Sequence, residues 1–137
     1  MEYVRLGKTD ILVSRIAFGA MRLSNALGQD NAASIVRKAY DSGINFFDTT
    51  SKIPESEKLL GDALYDIRRN VFLSTTTAAL TAKEIKDNIE ESLMSLHCDT
   101  VDLYQFETEK FLPIPSVAVK IYDTLCELKR YSKINHI

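Results

Sequence analysis

The chain carries little cysteine and little histidine, two of each in 137 residues. Cys98 and Cys126 stand far apart with no CxxC spacing, and neither His97 nor His136 joins them in a ligand pattern. A zinc or iron–sulfur centre is therefore not expected, and the two thiols read as free, buried groups in a reducing compartment. No uncharged run approaches the roughly 18 residues of a membrane span. Glu2, Arg5 and Lys8 interrupt the start of the chain where a signal peptide would be apolar. The expected address is the cytoplasm, with no membrane partner. Neither sign of charge dominates, since 17 basic residues face 19 acidic ones for a net charge of −2. Without a basic stripe to displace counterions, a nucleic-acid partner is not expected.

What is present is enough for a core. Hydrophobic residues make up 45% of the chain and charged residues 26%, the balance of a globular protein that needs no disulfide or metal. The length fits one domain spanning residues 1–137.

Residues 3–6 and 11–13 are β-prone runs around Gly7-Lys8-Thr9-Asp10 and predict a hairpin. Residues 15–19 predict a strand ending at Gly19. Strand and helix then alternate. Asp30 or Asn31 is placed to cap a helix carrying Ala32, Ile35, Val36, Ala39 and Tyr40 at helical spacing, with Gly43 suited to its left-handed end. Residues 44–48 form an apolar strand closing on Asp48. A helix follows Pro54, with Leu59, Leu60, Ala63, Leu64 and Ile67 on one face, and residues 71–75 are the next strand. Thr81-Ala82-Lys83-Glu84 is a capping box, in which Thr81 accepts from a free N–H and Glu84 reaches back. The helix behind it buries Ile85, Ile89, Leu93 and Leu96. Residues 101–106 are a strand, Val117, Ile121, Leu125 and Leu128 mark a fourth helix, and residues 134–137 begin a fifth strand.

Four strand–helix units in succession imply a parallel sheet with helical crossovers. Their spacing suits either part of a (β/α) barrel or a small open α/β sheet. The absence of GxGxxG after the first strand lowers a dinucleotide-binding open sheet.

Local words distinguish the two. Tyr3-Val4-Arg5-Leu6-Gly7-Lys8-Thr9 with Val13-Ser14-Arg15-Ile16-Ala17-Phe18-Gly19 resembles the opening of bacterial aldo-keto reductases. Gly43-Ile44-Asn45-Phe46-Phe47-Asp48-Thr49 is similar to that family's second strand, Ser56-Glu57-Lys58-Leu59-Leu60-Gly61 to its second helix, and Asp102-Leu103-Tyr104-Gln105 to its fourth strand. The resemblance runs in order along nearly the whole chain. It implies a partial TIM (β/α) barrel: an N-terminal β-hairpin closing the bottom, four βα units and a fifth-strand stub, about half of the roughly 250 residues such a barrel takes. It also implies NADPH-dependent carbonyl reduction at the top. A break within the fifth strand reads as an early stop or an eroded gene.

The chemistry does not carry over intact. Hydride transfer to a carbonyl leaves negative charge on oxygen, which must be stabilised and protonated. The resemblance implies a Tyr as acid, a Lys paired with an Asp to tune it, and a His in the oxygen pocket. Asp48 matches the Asp. The Tyr position, five residues on, is Ile53; the Lys position is Thr76; the His position is Glu107. Glu at the last position resembles a steroid double-bond-reducing branch, but that branch keeps its Tyr. Glu107 would need an apolar site to raise its pKa before it could serve as an acid. Gly19, Ala20 and Met21 match positions beside the nicotinamide. The rest of NADPH lies, in family members, on later strands and loops. The resemblance thus implies no cofactor for this stretch alone, or NADPH if any.

Several residues have plainer readings. Asp48 without its Lys is expected to be exposed or hydrogen-bonded to a Thr, because a buried lone carboxylate is costly. Thr75-Thr76-Thr77 is β-branched strand end, with no base to make a nucleophile. His97 ends a helix. His136 has no partner in view, and Glu107 and Glu109 are solvated loop acids. Lys129, Arg130 and Lys133 favour a helix C-terminus and form no binding patch. The functional expectations, in order, are a non-catalytic remnant with a structural or binding role, a reductase or cofactor binder completed by a partner chain, and a small-molecule or protein-binding module. Open sheet edges invite pairing. A homodimer is expected, with the two halves closed into a barrel or set face to face.

Overall fold

A computed structural model describes residues 1–25, 29–108 and 112–137. Strands β1 (Tyr3–Arg5) and β2 (Leu12–Ser14) pair antiparallel as the expected hairpin, with Gly7 at φ +56° in its turn. Five further strands follow: β3 (Phe18–Gly19), β4 (Phe46–Asp48), β5 (Phe72–Thr77), β6 (Val101–Phe106) and β7 (Ile134–His136). They form one sheet in sequence order, every neighbouring pair parallel. Helices α1 (Gln29–Asp41), α2 (Pro54–Leu64), α3 (Ala82–Ser95) and α4 (Pro115–Arg130) supply the crossovers.

The register separates the two faces of the sheet. Phe47, Leu73, Thr75 and Tyr104 fall on one face and are buried beneath the helices. Phe46, Asp48, Phe72, Thr76, Leu103, Gln105 and His136 fall on the other and are half-buried, while Ser74, Val101 and Ile134 on that same face are fully buried. Each helix packs against the next in chain order, so all four lie in one row. A doubly wound open sheet would place helices on both faces. A single helix layer, strands in sequence order and a bare opposite face are the plan of a (β/α) barrel segment.

The hairpin sits at the N-terminal end of that bare face. Asn45 holds it through three hydrogen bonds: its side chain accepts from the Ser14 N–H and donates to the Leu12 carbonyl, and its N–H donates to Ser14 Oγ. Ile11 and Val13 are buried there. His136, for which no partner was expected, lies 3.3 Å from Asp10 of the hairpin turn, a contact between segments too distant for spacing to reveal.

Several element ends differ from expectation. Helix α1 begins at Gln29, placing Asp30 and Asn31 in its first turn instead of at its cap, and Ile35 is 45% exposed. The second helix gives way to a 3-10 stretch over Tyr65–Asn70 that contains Ile67. Strand β5 runs two residues past Thr75 because β6 offers Gln105 and Phe106 as partners for Thr76 and Thr77. Gly43 has φ +91°, as its C′ role requires. At Thr81 the hydroxyl accepts from the Glu84 N–H and also donates to the Glu84 carboxylate, so the two side chains meet each other. Cys98 and Cys126 are free and half-buried.

Candidate functional site

The C-terminal ends of the parallel strands converge, and backbone hydrogen bonds continue past the strands to fix the loops there. The Ala20 N–H donates to the Asp48 carbonyl, Thr49 to Ser74, Ser51 to Thr76, and Glu107 to Thr77. This ladder sets Asp48, Thr76 and Glu107 side by side on the bare face. Parallel register puts Asp48 beside Ser74, and Thr76 beside Gln105.

Their side chains satisfy one another. Gln105 Nε2 donates to Ser74 Oγ at 2.7 Å and reaches Asp48 Oδ1 at 3.2 Å. Thr76 Oγ1 reaches Glu107 Oε2 at a long 3.4 Å. Lys52 Nζ lies 3.4 Å from Glu107 Oε1. The Asp48 carboxyl is pushed above the usual carboxylate range, first by burial and further by the negative charge of Glu107, against a lowering hydrogen bond from Ser74. Asp48 is thus half-buried and bound to an amide and a serine, where exposure or a threonine partner was expected. Glu107 is half-exposed but paired, not simply solvated, and Glu109 lies outside the described residues.

Ile53 occupies the N-cap position of α2, ahead of Pro54, and brings no polar atom to the cluster. The phenol of Tyr104 does not replace it. Tyr104 is fully buried on the helix side of β6, and burial raises its pKa further from any useful acid range. Gly19 ends β3 with open space where a Cβ would stand, and Met21 is 46% exposed. Ala20 between them is buried in the core. Among the described residues, no three His, Cys, Asp or Glu side chains gather as a metal site, and no helix is long and apolar enough to cross a membrane.

Sequence reasoning missed Lys52, Ser74, Gln105 and Glu57. The first three are joined to the cluster only by strand register and loop path. Glu57, one turn into α2, is 1% exposed and accepts from Thr75 Oγ1 at 2.6 Å across the sheet–helix interface. Burial raises its pKa, and the hydroxyls of Thr75 and Ser92 oppose the rise. A carboxyl whose folded pKa lies above its unfolded value favours the folded state at low pH, and that advantage is lost as pH rises through the folded value. Glu57→Gln, which keeps the acceptor for Thr75, is expected to raise the melting temperature by a few degrees at neutral pH. At pH 4 it is expected to make little difference. Equal effects at both values in calorimetric scans would contradict a buried, ionising Glu57.

His97 adopts φ +52° just after α3 and sits 2.7 Å from Asp62 Oδ1, edge-on to the Tyr65 ring, a contact that ties the end of α3 to α2. The basic residues near the end of α4 stand apart: Lys133 pairs with Glu90, while Lys129 and Arg130 close the helix.

One helix layer on a sequential parallel sheet, with polar groups gathered at the strand C-termini, defines a (β/α)-barrel protein represented here by its first half. A sequence profile of the Aldo/keto reductase family matches residues 15–137, and the chain belongs to that family. It is 30% identical to L-galactose dehydrogenase of Arabidopsis thaliana, over 100% of this chain and 47% of that protein. It is 31% identical to 6-dehydroglucose reductase of Novosphingobium aromaticivorans, over 87% of this chain and 45% of that one. The fold superposes on aldo-keto reductase AKR11C1 from Bacillus halodurans, solved in its holo form, with a TM-score of 0.89 and 25% identity. That match covers 99% of this chain and 49% of the other. The chain spans about half the length of the curated relatives it matches.

Proposed function

We propose that this chain is a non-catalytic aldo-keto reductase relative with a structural or binding role. The observation that carries the reading is the closed hydrogen bonding of the strand-end cluster. Asp48 is held by Gln105 and Glu107 by Lys52 and Thr76, while Ile53 supplies no proton where a carbonyl oxygen would need one. General acid catalysis contributes about 10²–10⁴-fold where a donor is in place, and among the described residues no phenol or imidazole stands at this cluster to provide it.

A nicotinamide cofactor is poorly accommodated by the residues present. Gly19 and Met21 offer an open ledge at the end of β3, but Ala20 is buried and its N–H is already bonded to Asp48. Such a ledge touches only one end of a dinucleotide. No reaction step is assigned to it.

The second reading is an oxidoreductase, or a cofactor binder, whose site is completed by another chain. Two features favour it: Asp48 keeps its place at a strand end, and its carboxyl is displaced upward as functional carboxyls often are. The named relatives are a dehydrogenase and a reductase, so any activity here would be an oxidoreductase activity. A third reading, a small-molecule or protein-binding module, uses the same bare face.

NADPH consumption with a panel of aldehydes and aldoses separates these readings. Expected is a rate equal to the enzyme-free blank. Turnover that Asp48→Asn abolishes would overturn the non-catalytic reading.

A further inference from the structure

Among the described residues, Glu57 is the one carboxylate that is fully buried, at 1% exposure between the helix layer and the sheet. Its surroundings are complete within the middle of the helix row: α2 carries it, and β5, β6 and α3 enclose it. From β5 the Thr75 hydroxyl donates to it at 2.6 Å. The Ser92 hydroxyl of α3 and the Tyr104 phenol of β6 lie near it, and neither completes a hydrogen bond to a described residue. Glu91, exposed on α3, adds a second negative charge. Two hydroxyls, a phenol and a like charge thus face this carboxyl, and none of them is a cation. A neutral acid is tolerated in such a place. An ionised one bears a desolvation cost that hydroxyls offset only in part.

The easiest relief is at the start of α2. Glu57 is the fourth residue of that helix, its N–H reaches the Ile53 carbonyl at 3.3 Å, and Ile53 makes no side-chain cap. A first turn without a capping side chain opens at lower cost than the helix interior. The same turn holds the loop after β3. Ser56, 0% exposed, donates to the Met21 carbonyl and accepts from the Ser24 N–H, both at 3.0 Å. Water admitted to Glu57 by opening this turn also releases residues 21–24, which follow the Ala20–Asp48 hydrogen bond at the strand ends.

We infer that Ser56 and Glu57 form a proton-operated latch. With Glu57 neutral, the first turn of α2 closes on β5 and holds residues 21–24; loss of the proton favours its opening. Burial raises the pKa of Glu57 in the closed form. Opening therefore becomes easier by up to about tenfold per pH unit between the open-form and closed-form values, and changes no further above the higher one.

Amide hydrogen exchange of the full chain between pH 5 and pH 8, each rate divided by its intrinsic value, reads this at the Ser24 N–H. Protection there is expected to fall as pH rises and then to level off. It is also expected to stay well below that of the Leu73 N–H in β5, as a local opening requires. Glu57→Gln, which keeps the acceptor for Thr75, is expected to make Ser24 protection independent of pH. Ser56→Ala is expected to lower it about equally at both ends of the range. Ser24 protection that does not change with pH in the parent chain would overturn the proposal. So would a pH dependence that survives Glu57→Gln, or Ser24 protection equal to that of Leu73 throughout.

Discussion

Asp102→Ala is expected to lower the stability of the fold by about 3 kcal/mol, although Asp102 lies outside the strand-end cluster. The carboxylate accepts from Arg68 Nη2 at 2.8 Å and from the Leu73 N–H at 2.9 Å, and the Asn135 amide reaches it at 3.3 Å. Arg68 also donates to the Val71 and Thr100 carbonyls. One carboxylate therefore ties the 3-10 stretch before β5 to β5, β6 and β7. The side chains of Arg68 and Asp102 are 21% and 14% exposed, so water only partly replaces a lost partner. Alanine leaves the guanidinium and a strand N–H uncompensated at once. Asp102→Asn keeps an acceptor for Leu73 and is expected to cost less than half as much. Urea unfolding followed by dichroism gives both values; equal losses for the two variants would contradict this account of the network.

Gly61→Ala is expected to cost about 2–3 kcal/mol, opposite in sign to what helix propensity suggests. In an exposed helix, Gly to Ala gains up to about 1 kcal/mol. Here a Cβ on Gly61 would lie 2.5 Å from the Ser95 carbonyl oxygen and 2.7 Å from the Leu96 Cα. Those atoms are backbone at the end of α3 and cannot rotate away. Gly61 sets how closely α2 and α3 approach, and Leu60, Leu64, Ile89 and Leu96 are buried around that contact. A neutral or stabilising alanine in thermal unfolding would mean that the two helices separate without loss.

The order of elements was legible because hydrophobic period switched between two and about 3.6 along the chain, with Gly43, Pro54 and Thr81 marking some of the switches. The choice of a barrel segment over an open sheet was not legible from period. It came from family words, and the single helix row bears it out. The site was half legible. Asp48, Thr76 and Glu107 could be named because each stands where the resembled family carries a catalytic side chain, and the structure brings them together. Lys52 could not, because it sits in a loop whose path depends on the Ser51–Thr76 hydrogen bond. Gln105 was read only as part of a word. Its bridge to Asp48 and Ser74 depends on parallel register, which sequence leaves open. Glu57 was quoted as a helix residue, and nothing local marks it as buried; its partner Thr75 lies on β5, 18 residues away.

The central claim is that the strand-end cluster neither catalyses carbonyl reduction nor holds the cofactor within this chain. A fluorescence titration of the purified full-length chain with NADPH, at a protein concentration where its oligomeric state is known, tests it most directly. The account predicts no saturable change up to high micromolar cofactor. Saturable binding would contradict it.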